Sequence, residues 1–390
     1  MVMDRLFRLM AEKKASDIYL APGSPVHIKI NGVTIPVNQQ QLDGNGVESL
    51  MREILTERQW QEFSERRELN VGYGVKGVGS FRINVFQQRG SPSAVVRFIP
   101  GDIPALASLN LPTVLTELVM EKRGLLLVVG STGSGKSTTL ASLIDHRNNL
   151  KTGHILTFED PIEFTFRNRR SIVNQRQIGT DTDSLAVGLK NAMRQAPDCI
   201  LIGEIRDMDT MTQAIAYAQS GHLVLSTLHA NNANNALNRI VSFYPPESRR
   251  VMLADLAATL KAVISQRLVR SVDGSRMPAV ELLLNTRHVS ELIEQGQLTE
   301  VKAAMEKSLA PGSQTFEQAL VGMVRSGAIS REDALAQADS PTNLLWLLEN
   351  AGLEDSAIAP SAPHAMPTLA KTDKEKEADS ASFSEFMLNI

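Results

Sequence analysis

Cysteine is almost missing from this sequence. Cys199 stands alone among 390 residues, so neither an intramolecular disulfide nor a thiolate zinc cluster can form, and a reducing compartment fits. No sign of charge dominates either. Forty Lys and Arg oppose 43 Asp and Glu, a net charge of −3, which excludes a bulk basic surface of the histone kind and leaves room only for a local basic patch. Apolar runs such as Leu125–Val129 fall far short of the roughly 20 residues of a membrane span. The opening MVMDRLFRLMAEKKASD scatters charges among its apolar residues, unlike a signal peptide. No repeat with a period of roughly 20–50 residues recurs. What remains is the profile of an ordinary cytoplasmic globular protein, 43% apolar and 21% charged. At roughly 150 residues per domain its length suggests two or three domains.

Residues 1–100 read as a small α+β unit. Leu6, Leu9 and Met10 mark one face of an opening helix, and His27–Val37 alternates around Asn31-Gly32, a tight-hairpin signal. A helix carrying Leu50, Ile54, Leu55 and Phe63 follows, then two β-like runs, Ser80–Phe86 and Ala94–Ile99. Pro100, Gly101, Pro104 and Pro112 predict a hinge or linker over 101–112. From 113 to 353 short apolar runs (Leu125–Val129, Ile155–Phe158, Cys199–Ile202, Leu223–Ser226) alternate with helical stretches, the pattern of a parallel α/β sheet. After Pro246 helical periodicity dominates, in 248–270, 286–307, 315–325 and 330–350. The tail, 354–390, holds Pro360, Pro363, Pro367 and the charge run KTDKEKEAD and is expected to be disordered. Phe383, Phe386, Met387 and Ile390 nevertheless fall at helical spacing, either as a docking peptide for a partner or as the greasy end of a loose tail.

The sharpest chemical signal is Gly130-Ser131-Thr132-Gly133-Ser134-Gly135-Lys136-Ser137, followed by Thr138. It follows an apolar strand and opens a helix, as a phosphate-cradling loop requires: glycines let successive N–H groups turn inward, and the helix N-terminus adds its positive dipole end. Lys136 then reaches the β- and γ-phosphates, and Ser137 places its hydroxyl on Mg²⁺. A second strand, Cys199–Ile202, ends in Gly203-Glu204, leaving Glu204 as the metal-shell carboxylate there, acting through water. Between them Phe158-Glu159-Asp160-Pro161-Ile162-Glu163 crowds carboxylates at a strand end. Glu163 or Glu159 is placed to orient an attacking water, and a plain solvated loop fits the cluster equally well. A third strand runs from His222 to His229. A separation of seven puts the two rings on opposite faces of a continuous strand, so His229 is read as lying just past it, as a γ-phosphate sensor. Arg82, Arg97, Arg206 and Arg239 are candidates to offset charge on a transferring phosphoryl group.

Four boxes now stand in order: GSTGSGKST, ILTFEDPIEF, CILIGEIRD and GHLVLSTLH. Over residues 1 to about 350 the chain resembles secretion-type ATPases of the type IV pilus retraction branch, the PilT/PilU family. The resemblance implies a RecA-like P-loop ATPase domain of α/β class over 113–353, a PAS-like α+β domain over 1–100, and ATP and Mg²⁺ as cofactors. It implies that Gly130 to Thr138 hold nucleotide, Ser137 and Glu204 serve the metal, Glu163 is the catalytic glutamate, and His222 and His229 form a His-box pair. Arg82 and Arg97 become fingers drawn onto the nucleotide by domain closure. A homohexameric ring is implied, peripheral at the inner-membrane pilus base, without membrane insertion or direct nucleic-acid binding. A PilC-like platform protein and PilT are the implied partners, and twitching motility the implied output.

Two departures bear on the branch. The stretch Arg287-His-Val-Ser-Glu-Leu-Ile-Glu294 lacks most of the AIRNLIRE-like segment of PilT, and the tail beyond 354 is longer than in typical PilT. Both point to the PilU side, an accessory motor that acts with PilT. Two alternatives stand beside it: a regulatory ATP-binding ring subunit docking on PilT, and a related motor of secretion or DNA uptake. The pilus-assembly and type II secretion ATPases typically carry a tetracysteine zinc module, which a single cysteine cannot supply.

Overall fold

The computed structural model describes residues 1–30, 32–99 and 102–350. They divide into two compact units, Met1–Phe98 and Ile99–Asn350. The expected disordered tail, with its Phe383–Ile390 stripe, lies outside the described residues, as do Asn31, Pro100 and Gly101.

In the first unit the order is α1 (Val2–Glu12), β1 (Asp17–Leu20), β2 (Pro25–Ile30), β3 (Val33–Gln41), α2 (Gly44–Arg52), α3 (Glu57–Arg66), β4 (Glu68–Val75), β5 (Gly79–Gln88) and β6 (Ser91–Ile99). The strands form one six-stranded sheet in the order β3-β2-β1-β6-β5-β4. Its core takes Met3, Leu6, Phe7 and Met10 from α1, so the buried stripe is displaced from the expected one and Leu9 is only half-buried. The single helix expected to carry Leu50, Ile54, Leu55 and Phe63 is two helices. Thr56 starts α3 with a reciprocal capping box, its hydroxyl accepting from the Gln59 N–H while Gln59 reaches back to the Thr56 N–H. The β2–β3 hairpin closes at Ile30 opposite Val33, with Gly32 at φ 85°.

The second unit contains α4 (Leu115–Leu118), β7 (Gly124–Val129), α5 (Lys136–Leu150), β8 (Gly153–Glu159), β9 (Ser171–Gln177), α6 (Leu185–Ala192), β10 (Cys199–Ile202), α7 (Met208–Gln219), β11 (Leu223–Leu228), α8 (Ala233–Ser242), α9 (Pro246–Thr259), β12 (Leu260–Arg270) and β13 (Arg276–Leu284). It ends in α10 (Arg287–Glu294), α11 (Val301–Glu306), α12 (Phe316–Arg325), α13 (Arg331–Gln337) and α14 (Pro341–Asn350). Seven strands pair in the order β13-β12-β7-β11-β10-β8-β9. All run parallel except the edge strand β13.

Every residue of β7 is buried, as a parallel strand covered on both faces demands. Leu125, Leu127 and Val129 point into a core shared with α7, α8 and α9, while Leu126 and Val128 meet Leu140, Leu143 and Ile144 of α5 on the other face. The sheet is therefore the middle of three layers. The expected linker does not run free throughout: Leu106 is buried in the α5-side core, with Ile103 and Leu111 packed against it, and Ser142 Oγ donates to the Pro104 carbonyl at 2.8 Å.

One expected helix is overturned. Residues 248–270 are a helix only to Thr259, and LKAVISQRLVR continues as β12, inserted beside β7. Chain order reverses there: β7 is followed by α5 on one face, whereas β12 arrives from β11 by way of α8 and α9 on the other. The carboxyl ends at such a switch point form the crevice where open α/β sheets bind ligands.

Candidate functional site

The glycine-rich loop leaves β7 at that switch point. Gly130 sits at φ 155°, where a Cβ would lie 2.4 Å from Ser134 Oγ and 2.5 Å from the Gln266 carbonyl. No side chain fits there, so the loop must turn on bare backbone. Gly135 at φ 88° is the N-cap of α5. α6, α7, α8, α10, α12 and α13 are all capped by Ser, Asp, Asn or Thr side chains, whereas the 15-residue α5 has no side-chain cap. Its first-turn N–H groups are left to an anion, which the helix dipole also favours.

Lys136 folds over the loop, its Nζ donating to the carbonyls of Gly130 and Ser131, each at 2.9 Å. Burial lowers its pKa, and the carboxylates of Glu204 and Glu163 act in the opposite direction. Those two carboxylates, far apart in sequence, thus share the field of one ammonium. Ser137 and Thr138 are half-buried in the first turn of α5. Beside the loop lies a polar cavity of about 480 Å³, lined by Ser131, Thr132, Ser134, Asn231, Asn232 and Arg276 among others. Ser134 Oγ, buried, has no partner among the described residues.

Glu204 follows β10, and two groups hold its carboxylate: Arg206 Nε at 2.8 Å and His229 Nε2 at 3.2 Å. Arg206, whose own pKa is raised by its hydrogen bond to Glu204, is thereby a partner of that carboxylate. β10 and β11 are locked together at this end, Thr227 Oγ1 donating to the Gly203 carbonyl at 2.6 Å and the Ile205 N–H to the Thr227 carbonyl at 3.0 Å. Glu159 and Glu163 separate clearly. Glu159 accepts from Thr157 Oγ1 at 2.6 Å and Gln175 Nε2 at 3.2 Å, and burial raises its pKa while a bond from the Glu163 backbone lowers it. Glu159 therefore shapes the turn that carries Glu163, and Glu163 is left exposed.

His222 does not join this cluster. It precedes β11, a six-residue strand, and so lies about 20 Å from the carboxyl ends at 3.3 Å per residue. Its Nδ1 sits against Ser220 Oγ and the Tyr217 carbonyl. The structure therefore places His222 at the opposite end of β11 from the glycine-rich loop. Arg239 rests on the Phe243 ring, 5.8 Å from its centroid. In the first unit, Arg97 Nε donates to Asp17 Oδ1 at 2.9 Å, and exposed Arg82 makes no side-chain hydrogen bond or ion pair among the described residues.

Sequence reasoning missed Gln266. From β12 its Nε2 donates to the Ser134 carbonyl at 2.8 Å, and its Oε1 accepts from Thr139 Oγ1 at 2.7 Å. It pins the glycine-rich loop and the first turn of α5 to the sheet. Nothing in the linear pattern marks it, because β12 lies inside a stretch that reads as helix.

An α/β protein with a three-layer sheet, a glycine-rich loop at its switch point and paired acidic and basic groups beyond the strand ends is the class these observations define. The family model described as type II/IV secretion system protein matches residues 2–307. The type IV pilus ATPase PilU of Pseudomonas aeruginosa is 44% identical over 90% of this chain and 92% of its own length. The type IV pilus retractation ATPase PilT of the same organism is 37% identical over 88% of this chain and all of its own. Among solved structures, the pilus retraction motor PilT with bound ADP superposes with a TM-score of 0.83 at 39% identity, covering 88% of this chain and 98% of that one. The chain belongs to the type II/IV secretion family and, within it, to the PilT/PilU retraction ATPases.

Proposed function

We propose that this protein is a Mg²⁺-dependent ATPase that drives type IV pilus retraction and twitching motility as a PilU-like accessory motor beside PilT. The observation that supports the chemistry best is the meeting of Lys136, Glu163, Glu204 and His229 beyond the strand ends, next to the uncapped N-terminus of α5. The accessory reading draws on the higher identity to a PilU than to a PilT.

In this reading the loop from Gly130 to Thr138 wraps the phosphates with backbone N–H groups, and Lys136 turns from its own loop carbonyls to the β- and γ-phosphates. Glu163, exposed on its turn, orients the attacking water and takes its proton. His229 senses the γ-phosphate from its place on Glu204. Arg82 and Arg97 offset charge developing on the transferred group. The donor set fits Mg²⁺, a hard cation that keeps several waters: the Ser137 hydroxyl would hold it directly and the Glu204 carboxylate through water. Bound there, the ion would supply neutralisation of phosphate charge. The second unit is RecA-like and the first PAS-like. Six copies form a ring at the inner-membrane pilus base, and cycles of closure and release act on a PilC-like platform protein.

Steady-state hydrolysis of ATP by the purified protein, alone and with PilT, tests this. Glu163→Gln is expected to lower kcat by about 100-fold with nucleotide still bound, and Lys136→Ala to abolish binding of a fluorescent ADP analogue. Turnover equal to wild type in Glu163→Gln would remove Glu163 from the mechanism. Nucleotide binding by a wild type inert in both settings would transfer the reading to a regulatory ring subunit.

A further inference from the structure

Three consecutive residues of β12 reach three different parts of the second unit. Ser265 Oγ donates to Glu281 Oε1 at 3.0 Å, and the same oxygen accepts the Ala233 N–H at the start of α8 at 2.7 Å. Gln266 grips the glycine-rich loop, as described above. Arg267 turns the other way. It lies on the Phe316 ring at 3.9 Å from the centroid and donates to the Gln337 carbonyl, to Asp339, and to the Asn231 carbonyl at 3.1 Å.

Asp339 lies between α13 and α14. Its second oxygen accepts from Asn232 Nδ2 at 2.9 Å, while Asn232 Oδ1 caps α8 through the Asn235 N–H at 2.9 Å. The next residue, Ser340, donates its N–H to the fully buried Glu317 at 2.9 Å. The Arg267 and Asp339 side chains are only 17% and 20% exposed. Such a pair is better shielded from water than a surface ion pair, and stranding either partner is costly.

These bonds fall on one short loop. His229 holds one end of residues 229–232 against Glu204, and Arg267 with Asp339 holds the other. A loop pinned at both ends cannot move at one without loading the other. We infer that Asp339 is a positioning residue of the ATP-handling cluster, and that through it the C-terminal helices α13 and α14 sense whether His229 is on Glu204 or on phosphate. The inference rests on the ATPase reading above. It makes β12, Asp339 and the α13–α14 junction one mechanical link between the nucleotide loop and the last described helix.

Trp346 supplies a probe within α14, 59% exposed. The chain has two tryptophans, and the other, Trp60, lies in the first unit. In the full-length Trp60→Phe protein, titration with Mg²⁺ and ATP is expected to change Trp346 emission with the midpoint read by displacement of a fluorescent ADP analogue. Adding Asp339→Ala is expected to remove that change while the analogue's affinity stays within about twofold. In the same variant kcat should fall about tenfold with KM nearly unchanged, the sign of a misplaced catalytic group. In a His229→Ala background, Asp339→Ala should cost nothing further, because its route through the loop is already cut. Asp339→Asn, which keeps an oxygen for Asn232 and removes the negative charge that faces Arg267, carries the same comparisons if the alanine variant does not fold. A Trp346 response that survives in the Asp339 variants, or losses that multiply with His229→Ala, overturns the inference. Failure of the parent protein to bind the ADP analogue overturns the ATPase reading itself.

Discussion

Glu281 is 3% exposed on β13, and burial raises its pKa against the pull of its bonds from Ala233 and Ser265. For such a carboxyl the folded pKa lies above the unfolded one, so its contribution to stability is fullest below the unfolded value and is lost as pH rises through the folded value. Glu281→Gln keeps an oxygen for both donors and removes the charge. The variant should therefore melt above wild type at pH 8, with the difference shrinking towards zero as the pH is lowered to 4, measured by thermal unfolding across that range. A difference independent of pH would mean that the carboxylate is not strained by burial. The same physics silences Cys199, whose buried thiol is pushed up to about 11 and is a packing residue, not a nucleophile. At this scale the sequence marks Lys136 and Ser137 as candidates without help from the fold, because their chemistry is local to one loop. The residue pattern alone left Glu159 and Glu163 undivided, and only the family resemblance chose Glu163. What separates them, Thr157 and Gln175 bonding to Glu159, exists only once β8 lies beside β9.

Strand β12 shows why some elements were legible and others not. Central parallel strands such as β7 and β10 announce themselves as unbroken apolar runs, since both faces are covered. β12 has to carry Ser265, Gln266 and Arg267 in its middle, each serving a different neighbour, and so follows α9 without any break in the apolar pattern that a linear reading can detect. β9, at the sheet's edge, is polar enough to read as loop. The α2–α3 break was hidden because both helices feed one core, and the capping box at Thr56 marks the joint. The grip of β12 on α5 is testable. Gln266→Ala strands the Ser134 carbonyl and the buried Thr139 hydroxyl without their partner, which should cost about 2 kcal/mol of stability. The midpoint of urea unfolding should fall accordingly, and the affinity for ADP should fall with it, because the loop loses its anchor. Normal ADP affinity in a destabilised variant would make Gln266 a stability residue only.

At the scale of the molecule, the two units divide their chemistry unevenly. The second unit carries the loop, the carboxylates and His229, while the first contributes only arginines to the proposed reaction. The structure gives those arginines different standing inside their own unit. Arg97 faces Asp17 across the β1–β6 pair, and Asp17 is buried, with Ser16 Oγ as its other partner at 2.8 Å. Although Arg97 is itself 65% exposed, Asp17 is only 6% exposed, so losing Arg97 strands a buried carboxylate and should cost the first unit about 1–3 kcal/mol. A fall in turnover in Arg97→Ala is therefore confounded by that loss of stability, and Asp17→Asn, which breaks the same pair from the other side, is its control. Arg82 is free of this ambiguity. It lies exposed on β5 without a side-chain hydrogen bond or ion pair among the described residues, so Arg82→Ala should leave stability within about 0.5 kcal/mol of wild type. An arginine that offsets charge on a transferring phosphoryl group contributes roughly 10³-fold or more to kcat. Arg82→Ala should then fold and melt as wild type yet lose nearly all ATP turnover, read by steady-state hydrolysis and thermal unfolding on the same preparation. Unchanged hydrolysis would confine the first unit to a role outside the chemistry and leave the charge on the transferred phosphoryl group to Lys136 and Mg²⁺.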